Sequence, residues 1–264
     1  MKIGIDAIAM DTPDFYVDLV KLAQVRGDDP DKYTIGIGQD EQAVPPSSQD
    51  IVTMGANAAT KLLTPAIRAS LGMVLVGTES GVDASKSAAL FIHDLLALPE
   101  WVRAVELKEA CYGGTAALMM ARDYIAAHPD KTVLVIAADI ARYGLATAGE
   151  VTQGAGAVAM LIKAEPHIMT IEDDSVYRSE SIADFWRPVY QDTAIAQGKY
   201  STEQYLAFFQ AIWSRYQTQR HHTASDFAAM TFHLPYTKMG KKALKLVLPD
   251  TDEATGERLQ RRFG

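Results

Sequence analysis

The chain lacks most features that mark disulfide-rich, membrane or nucleic-acid-binding proteins. One cysteine among 264 residues excludes an intramolecular disulfide and any zinc site built from several thiolates. Lys and Arg total 25 against 33 Asp and Glu, and the net charge of −8 disfavours binding to nucleic acid or anionic membranes. No apolar run approaches the ~20 residues that span a bilayer, and the first residues hold no signal core. We therefore expect a soluble cytoplasmic protein.

The sequence instead shows an alternation of two patterns. Apolar residues make up 48% of the chain, and many fall in short runs typical of buried strands. These runs predict strands at residues 2–8, 34–38, 73–78, 102–107, 132–138 and 155–162. Longer segments with helical spacing lie between several of them, at residues 49–63, 84–98 and 113–127. Strands separated by such helices predict an α/β fold of βαβ units with a largely parallel sheet.

A composition shift near Pro166 divides the sequence into two predicted regions. Residues 1–165 hold the alternating strands and helices, whereas residues 166–264 begin with an acidic and aromatic stretch. Ser201 to Gln204 has the capping-box pattern that opens helices, and we expect a second α/β region to start there. That region has too few strands to be complete. No grouping of His, Cys, Asp and Glu predicts a metal site.

Cys111 is the first candidate for chemistry, because it lies between a predicted strand and a predicted helix. In the first turn of that helix, unpaired N–H groups and the helix dipole would favour a thiolate and stabilise an oxyanion on an attached acyl group. Gly113 and Gly114 would leave room for a substrate to approach the backbone. The alternative is a buried cysteine that acts as a small apolar side chain.

Two titratable residues also follow predicted strands. Glu79 comes at the carboxyl end of a buried-type strand, where ligands collect in open α/β sheets and a carboxylate can act as a general base. His233 ends an apolar run at residues 228–233 that predicts another strand, and its imidazole can polarise a carbonyl. Lys238 and Lys242 would share one helix face and attract phosphates. The alternatives are a glutamate that is solvated in a loop or caps the following helix, a hydrogen-bonded core histidine and a solvated lysine face.

Six segments, taken in order, resemble one enzyme family. The sequence closely resembles bacterial hydroxymethylglutaryl-CoA synthases in GTES (77–80), KEACY (108–112), ARYG (141–144), TQGAGAV (152–158), DFWRP (184–188) and FHLPYTKMGKK (232–242). The resemblance runs along the whole chain and implies a thiolase-like fold, with two similar α/β halves stacked in five layers. It also implies a homodimer that joins acetyl-CoA to acetoacetyl-CoA in the mevalonate route to isoprenoids, with no cofactor besides these CoA thioesters.

The same resemblance implies roles for individual residues. Cys111 would take the acetyl group from acetyl-CoA, Glu79 would remove a methyl proton from acetyl-Cys111, and His233 would polarise the ketone of acetoacetyl-CoA. Lys238 and Lys242 correspond to positions near CoA and its acyl chain. Three further residues correspond to acyl-CoA contacts: Asp29, Thr152 and Ser201.

The resemblance also bears on domain organisation. Residues 1–165 would form the N-terminal thiolase-like half with Glu79 and Cys111, and residues 166–264 an insertion and the start of the C-terminal half with His233. Members of the family continue beyond this C-terminus with further strands, an Asn and a Gly/Ser-rich loop of the active site. We therefore expect a C-terminally truncated chain that has little condensing activity by itself.

Other functions stay open at the level of sequence. A synthase that acts on carrier-protein thioesters in polyketide β-branching belongs to the same superfamily, as does a ketoacyl synthase, although Glu79 argues against the latter. A thiolase is disfavoured because Cys111 leaves no second catalytic cysteine in the sequence. A different class of function is a non-catalytic fragment that pairs with a partner subunit.

Overall fold

The computed structural model describes residues 1–261 of the chain, which form two compact units. Each unit is discontinuous in sequence. The first comprises Met1–Val17, Gln42–Ala141 and Gln153–Glu172, and the second comprises Asp18–Glu41, Arg142–Thr152 and the chain from Asp173 onward. The predicted division into residues 1–165 and 166–264 stays a prediction, and residues 262–264 lie outside the described residues.

The described residues contain short and long strands together with eight helices. The strands are β1 (Ile3–Asp11), β2 (Tyr16–Asp18), β3 (Glu41–Ala43), β4 (Leu71–Gly77), β5 (Arg103–Leu107), β6 (Thr132–Ile140), β7 (Ala155–Ala164), β8 (Met169–Thr170), β9 (Phe185–Trp186) and β10 (Ile195–Ala196). The helices are α1 (Leu19–Arg26), α2 (Ile51–Thr60), α3 (Pro65–Ser70), α4 (Ala88–Leu95), α5 (Gly113–Ala127), α6 (Gly198–Arg220), α7 (Thr237–Leu244) and α8 (Glu253–Arg261). Over residues 1–261, no helix has the length and apolar composition needed to cross a bilayer.

The first unit is built on a six-stranded sheet in the order β5-β4-β6-β7-β1-β8. β4 pairs in parallel with β5 and β6, whereas β7 runs antiparallel to β6 and β1, and β8 runs antiparallel to β1. The predicted α/β class is confirmed, but the sheet is mixed and not largely parallel, because parallel pairing is confined to β5, β4 and β6. The carboxyl ends of these three parallel strands point in the same direction, and ligands collect outside such strand ends in open α/β folds.

Helices cover both faces of this sheet, which explains why every residue of β4 is buried. Because side chains alternate along a strand, Val74 and Val76 pack with α2 and α4, while Met73 and Leu75 pack with α5. α5 coincides with the predicted helix at residues 113–127. The sequence pattern therefore locates the element that follows Cys111 correctly.

The second unit is mainly helical, and an ion pair lies beside one of its apolar clusters. The Arg26 guanidinium at the end of α1 donates to both carboxylate oxygens of Glu150, at 2.7 and 2.8 Å. Glu150 also accepts the Ala146 N–H at 2.9 Å. Hydrogen bonding to Arg26 holds the pKa of Glu150 below its usual value, although burial opposes this. The pair thus ties the segment before Thr152 to α1.

The predicted strand at residues 34–38 is wrong. The chain there forms a π-helical turn, Lys32–Ile37, that ends at Gly38 with a φ of +87°. The Tyr33 hydroxyl donates to Asp28 Oδ2 at 2.7 Å and ties this turn to the preceding loop. Over so short an apolar run, periodicity does not distinguish a strand from a helical turn.

Two predictions for the second unit are also wrong. Residues 228–233 form no strand, because aromatic side chains of α6 pack against them in place of a strand partner. Ser201 does not open a helix, since α6 begins at Gly198 and the Ser201 hydroxyl donates to Asp184 Oδ2 at 3.0 Å. Beyond β10 the described part of the chain contains helices but no strand.

Candidate active site

Cys111 lies in a tight turn between β5 and α5. The Tyr112 N–H donates to the Glu109 carbonyl at 2.9 Å, and the Gly113 N–H donates to the Ala110 carbonyl at 3.2 Å. Ala110 has a φ of +42°, which is rare and strained for a residue with a side chain. The sequence predicts Cys111 within the first helical turn, but the structure places it just before Tyr112, the N-cap of α5. Its side chain is exposed, so the alternative of a buried apolar cysteine does not hold.

Close backbone contact brings this turn against the end of β4. A Cβ atom on Gly77 would lie 2.3 Å from the carbonyl carbon of Gly113 and 2.4 Å from the nitrogen of Gly114. Only glycine fits at position 77 without displacing main chain, so this contact explains why the strand ends in glycine. Gly77 precedes Glu79 by two residues, and Gly113 follows Cys111 by two. The contact therefore holds the turn that carries Cys111 and the turn that carries Glu79 together at the carboxyl ends of the parallel strands.

Asp139 holds the turn that carries Glu79. One oxygen of Asp139, Oδ1, accepts the Glu79 N–H at 2.8 Å and the Ser80 N–H at 3.1 Å. The same oxygen accepts the Thr78 and Ser80 hydroxyls, each at 3.0 Å. Burial raises the pKa of Asp139 above its usual value, although these donors oppose the rise. Four donors on one oxygen fix the main chain of Glu79 to the end of β6.

The sequence reasoning missed Asp139, although a signal for it was present. Asp139 follows a buried run at the end of a parallel strand, which is the feature that selected Glu79. Its hydrogen bonds to residues 78–80 are the part that no local pattern shows, because they join positions about 60 residues apart.

A cavity of about 300 Å³ adjoins Cys111. Its walls combine the thiol, the carboxyl of Asp139 and the start of α5 with small and apolar side chains: Gly77, Ala110, Cys111, Gly114, Thr115, Leu118, Ala137, Asp139, Val158 and Met160. Gly114 and Thr115 are the second and third residues of α5, where backbone N–H groups have no acceptor within their own helix. Such donors can stabilise negative charge on an acyl oxygen attached to a nearby sulfur.

His233 belongs to the second unit, in a segment without regular secondary structure. Its ring has exposed surface, yet the protein around it lowers the pKa of His233, because burial disfavours the charged imidazolium. The Tyr205 hydroxyl donates to the His233 carbonyl at 2.9 Å. The lowered pKa of His233 favours the neutral imidazole, which can donate one ring N–H to an oxygen.

The predicted lysines lie on a helix, as the sequence indicates. Lys238 and Lys242 are one turn apart on α7, whose opposite face buries Met239 and Ala243. Lys242 Nζ lies 3.0 Å from the Tyr236 hydroxyl and 5.5 Å from the centre of its ring. Both ammonium groups belong to the second unit and suit a phosphate ligand.

The three remaining candidates also belong to the second unit, and each makes a local hydrogen bond. Asp29 accepts the Asp31 N–H at 3.0 Å, and the Thr152 hydroxyl donates to the Gly149 carbonyl at 2.9 Å. Ser201 lies in α6, and its hydroxyl donates to Asp184 Oδ2. Glu79 and Cys111 lie in the first unit and the other six candidates in the second, while no group of three or more His, Cys, Asp and Glu within residues 1–261 is arranged to hold a metal.

Comparison with known proteins gives matches along the whole chain. A family model described as hydroxymethylglutaryl-coenzyme A synthase N terminal matches residues 1–167. The chain is 48% identical over 263 residues to hydroxymethylglutaryl-CoA synthase of Enterococcus faecalis, covering 100% of this chain and 69% of that protein. A crystal structure of an HMG-CoA synthase complexed with CoA superposes with a TM-score of 0.98 at 40% identity, covering 100% of this chain and 68% of the other. These matches confirm the fold predicted from the sequence.

A relative with different carrier chemistry is more distant. The polyketide biosynthesis 3-hydroxy-3-methylglutaryl-ACP synthase PksG of Bacillus subtilis is 30% identical over 263 residues, covering 93% of this chain and 62% of that protein. The similarity is therefore greater to the relative whose name specifies CoA than to the one whose name specifies a carrier protein.

Proposed function

Because the chain belongs to the hydroxymethylglutaryl-CoA synthase family, we propose that it condenses acetyl-CoA and acetoacetyl-CoA, with uptake of water, into hydroxymethylglutaryl-CoA and CoA. One observation carries the proposal: Cys111 lies in a strained turn before α5, beside a cavity lined by the first residues of that helix. An exposed thiol next to helical N–H groups suits a nucleophile that forms a thioester.

In the first step, Cys111 attacks the carbonyl carbon of acetyl-CoA. The bond from that carbon to the CoA sulfur breaks, CoA leaves with the proton from Cys111, and acetyl-Cys111 remains. Negative charge develops on the acetyl oxygen during the attack. The N–H groups of Gly114 and Thr115 are the donors that we assign to this oxygen.

In the second step, Glu79 removes a proton from the methyl group of acetyl-Cys111. The thioester acidifies this methyl group, and the resulting enolate attacks the ketone carbon of acetoacetyl-CoA. His233 donates a hydrogen bond to the ketone oxygen. The alkoxide that forms there takes up a proton from water, which in turn receives the proton held by Glu79, and this gives the tertiary alcohol of the product. Water then hydrolyses the thioester to Cys111, which releases the new carboxylate and restores the thiol.

The second unit supplies the proposed acyl-CoA contacts. Lys238 and Lys242 would neutralise phosphate groups of CoA from one face of α7. The remaining contacts are assigned to Asp29, Thr152 and Ser201. Residues 1–165 are proposed to form the N-terminal thiolase-like half, which holds the nucleophile and the base. Residues 166–264 are proposed to form an insertion and the start of the C-terminal half, which holds the imidazole.

The same family membership supports proposals for assembly and location. We propose a cytoplasmic homodimer that serves the mevalonate pathway. At an edge of the sheet in the first unit, Trp101 just before β5 is 94% exposed and Val105 within β5 is 42% exposed. Apolar side chains on an edge strand are suited to burial in an assembly. Light scattering on the full-length protein should give twice the mass of one chain, and a monomer at micromolar concentration would contradict the dimer.

The nucleophile is tested by incubating the full-length protein with acetyl-CoA and measuring its mass. We expect one acetyl group, located on Cys111, and no modification of the Cys111→Ala variant. If the full-length protein stays unmodified, Cys111 is not the nucleophile; if only the 264-residue chain stays unmodified, that chain is a non-catalytic fragment that needs a partner subunit. Acetylation by an acetylated carrier protein but not by acetyl-CoA would instead favour a polyketide β-branching synthase.

The proposed base is tested with the Glu79→Ala variant, in which acetylation of Cys111 and carbon–carbon bond formation are measured separately. We expect acetyl-Cys111 to form as in the wild type, while carbon–carbon bond formation falls by about 100-fold or more, within the range of general acid–base catalysis. Glu100→Ala removes an exposed carboxylate elsewhere in the first unit and should leave both steps unchanged. Normal condensation by Glu79→Ala would show that another group is the base.

A further inference from the structure

An aromatic face of α6 packs against the irregular segment that carries His233. Phe209 meets Phe232 edge to face, with ring centres 5.3 Å apart. One helical turn further, Trp213 meets Phe227 at 6.0 Å. These contacts bury apolar area, and the hydrophobic effect that favours this burial has no preferred direction. They fix the distance of the segment from α6 better than they fix the orientation of its main chain.

Tyr205 extends the same helix face by one turn and adds a directional contact. Its hydroxyl donates to the main-chain carbonyl of His233 at 2.9 Å, and the two rings lie 6.5 Å apart at an angle of 47°. Burial raises the pKa of Tyr205, so the phenol stays protonated and remains a donor at neutral pH. Outside helices and sheets, a main-chain carbonyl needs such a side-chain donor or water as a partner.

We propose that Tyr205 is a positioning residue that sets the orientation of the His233 imidazole through this hydrogen bond. The inference rests on the proposed function, in which His233 polarises the ketone of acetoacetyl-CoA. The carbonyl of His233 belongs to the same residue as the imidazole. Rotation of this main chain therefore moves the ring N–H away from the ketone oxygen. A displacement of about 1 Å at a reacting group can lower a rate by about 100-fold.

Tyr205→Phe removes the hydroxyl and retains the ring, and it is tested in the full-length protein. We expect kcat for condensation to fall by about tenfold or more, because the imidazole acts in that step. Acetylation of Cys111 by acetyl-CoA should stay within about twofold of the wild type, because it does not use His233. A fold that was merely loosened would impair both steps together.

The matched control is Tyr216→Phe. Tyr216 also lies on α6, and its hydroxyl donates to Asp174 Oδ2 at 2.6 Å, away from His233. Its kcat for condensation should stay within about twofold of the wild type. An equal loss of condensation in both tyrosine variants would overturn the positioning role, because the effect would then follow from the helix as a whole.

Two further variants separate the outcomes. Tyr205→Leu removes the ring as well as the hydroxyl; if it alone is impaired and Tyr205→Phe is normal, packing and not the hydrogen bond matters, and the inference is wrong. His233→Ala tests the proposed function itself. Normal condensation by His233→Ala would overturn both the proposed role of His233 and the positioning role of Tyr205. Loss of condensation in His233→Ala together with normal condensation in Tyr205→Phe would overturn the positioning role alone.

Discussion

Replacement of Asp139 tests how the turn that carries Glu79 is held. Asp139→Ala removes the oxygen that accepts four donors: two main-chain N–H groups at 2.8 and 3.1 Å, and two hydroxyls at 3.0 Å each. A buried donor left without a partner costs about 1–3 kcal/mol. Thr78 is fully buried, and Glu79 is partly exposed and can recruit water. Ser80 keeps a second acceptor for each of its donors, Thr78 Oγ1 at 2.9 Å for the N–H and the Ile140 carbonyl at 3.0 Å for the hydroxyl. We therefore expect the free energy of unfolding to fall by about 3 kcal/mol, near the lower end for a broken buried network.

Asp139→Asn is the matched variant, because it keeps one oxygen that can accept the same donors. Burial raises the pKa of Asp139 in the folded protein, which means that the site disfavours the charged carboxylate. Loss of the charge should therefore cost little, and we expect a destabilisation of about 1 kcal/mol. A group with a raised folded-state pKa contributes more stability at low pH. The free energy of unfolding of the wild type should therefore fall relative to that of Asp139→Asn as pH rises from the pKa of this carboxyl in the unfolded chain through its pKa in the folded protein.

Urea unfolding of the wild type and both variants at several pH values measures these differences. Condensation should fall by about 100-fold in Asp139→Ala, since the main chain of Glu79 is no longer held. If Asp139→Ala unfolds within about 0.5 kcal/mol of the wild type, the four hydrogen bonds do not hold the turn. If both variants lose equal stability, the charge matters more than the acceptor oxygen, and the argument from pKa is wrong.

Two further predictions concern the backbone contact and the ion pair. Gly77→Ala should lower the free energy of unfolding by about 3 kcal/mol or abolish folding, because the new Cβ would lie 2.3 Å from main chain. The control is Gly154→Ala, whose Cβ would meet nothing within 4 Å, and thermal unfolding should show almost no change in stability. Glu150→Gln should lower the free energy of unfolding, because the Arg26 guanidinium loses the carboxylate charge that it binds through two hydrogen bonds. The pKa of Glu150 is lowered in the folded protein, so the wild-type advantage in urea unfolding should disappear as pH falls through that pKa; a pH-independent difference would contradict the ion-pair interpretation.

The sequence was most informative where one element buries a continuous apolar face. α5 was located at both ends because small and apolar residues recur at helical spacing between two glycines and a histidine. The sequence indicates β4 and β6 because parallel strands covered on both faces read as unbroken apolar runs. Glu79 follows from its position after the end of such a strand, whereas Cys111 follows from its position between β5 and α5. The roles themselves came from the family resemblance, and they stay predictions.

Sequence reasoning failed where a distant contact decides the local structure. The run before His233 alternates like a strand, but the rings of α6 occupy the place of a strand partner. Ser201 has a capping pattern, yet its hydroxyl bonds Asp184, which lies 17 residues away. No window of neighbouring residues contains either partner, so local propensity gives way to tertiary contacts at these positions.

The candidate nucleophile and base share one structural principle: main-chain groups hold their turns. In the turn that carries Cys111, the carbonyls of Glu109 and Ala110 accept the N–H groups of Tyr112 and Gly113. In the turn that carries Glu79, the Glu79 N–H donates to Asp139. Any residue except proline at position 79 retains that donor. It follows that Glu79→Ala tests the carboxylate itself, because the bond that fixes the turn survives the substitution. Loss of condensation in that variant would report on proton transfer, whereas the same loss in Asp139→Ala would report on the placement of the turn.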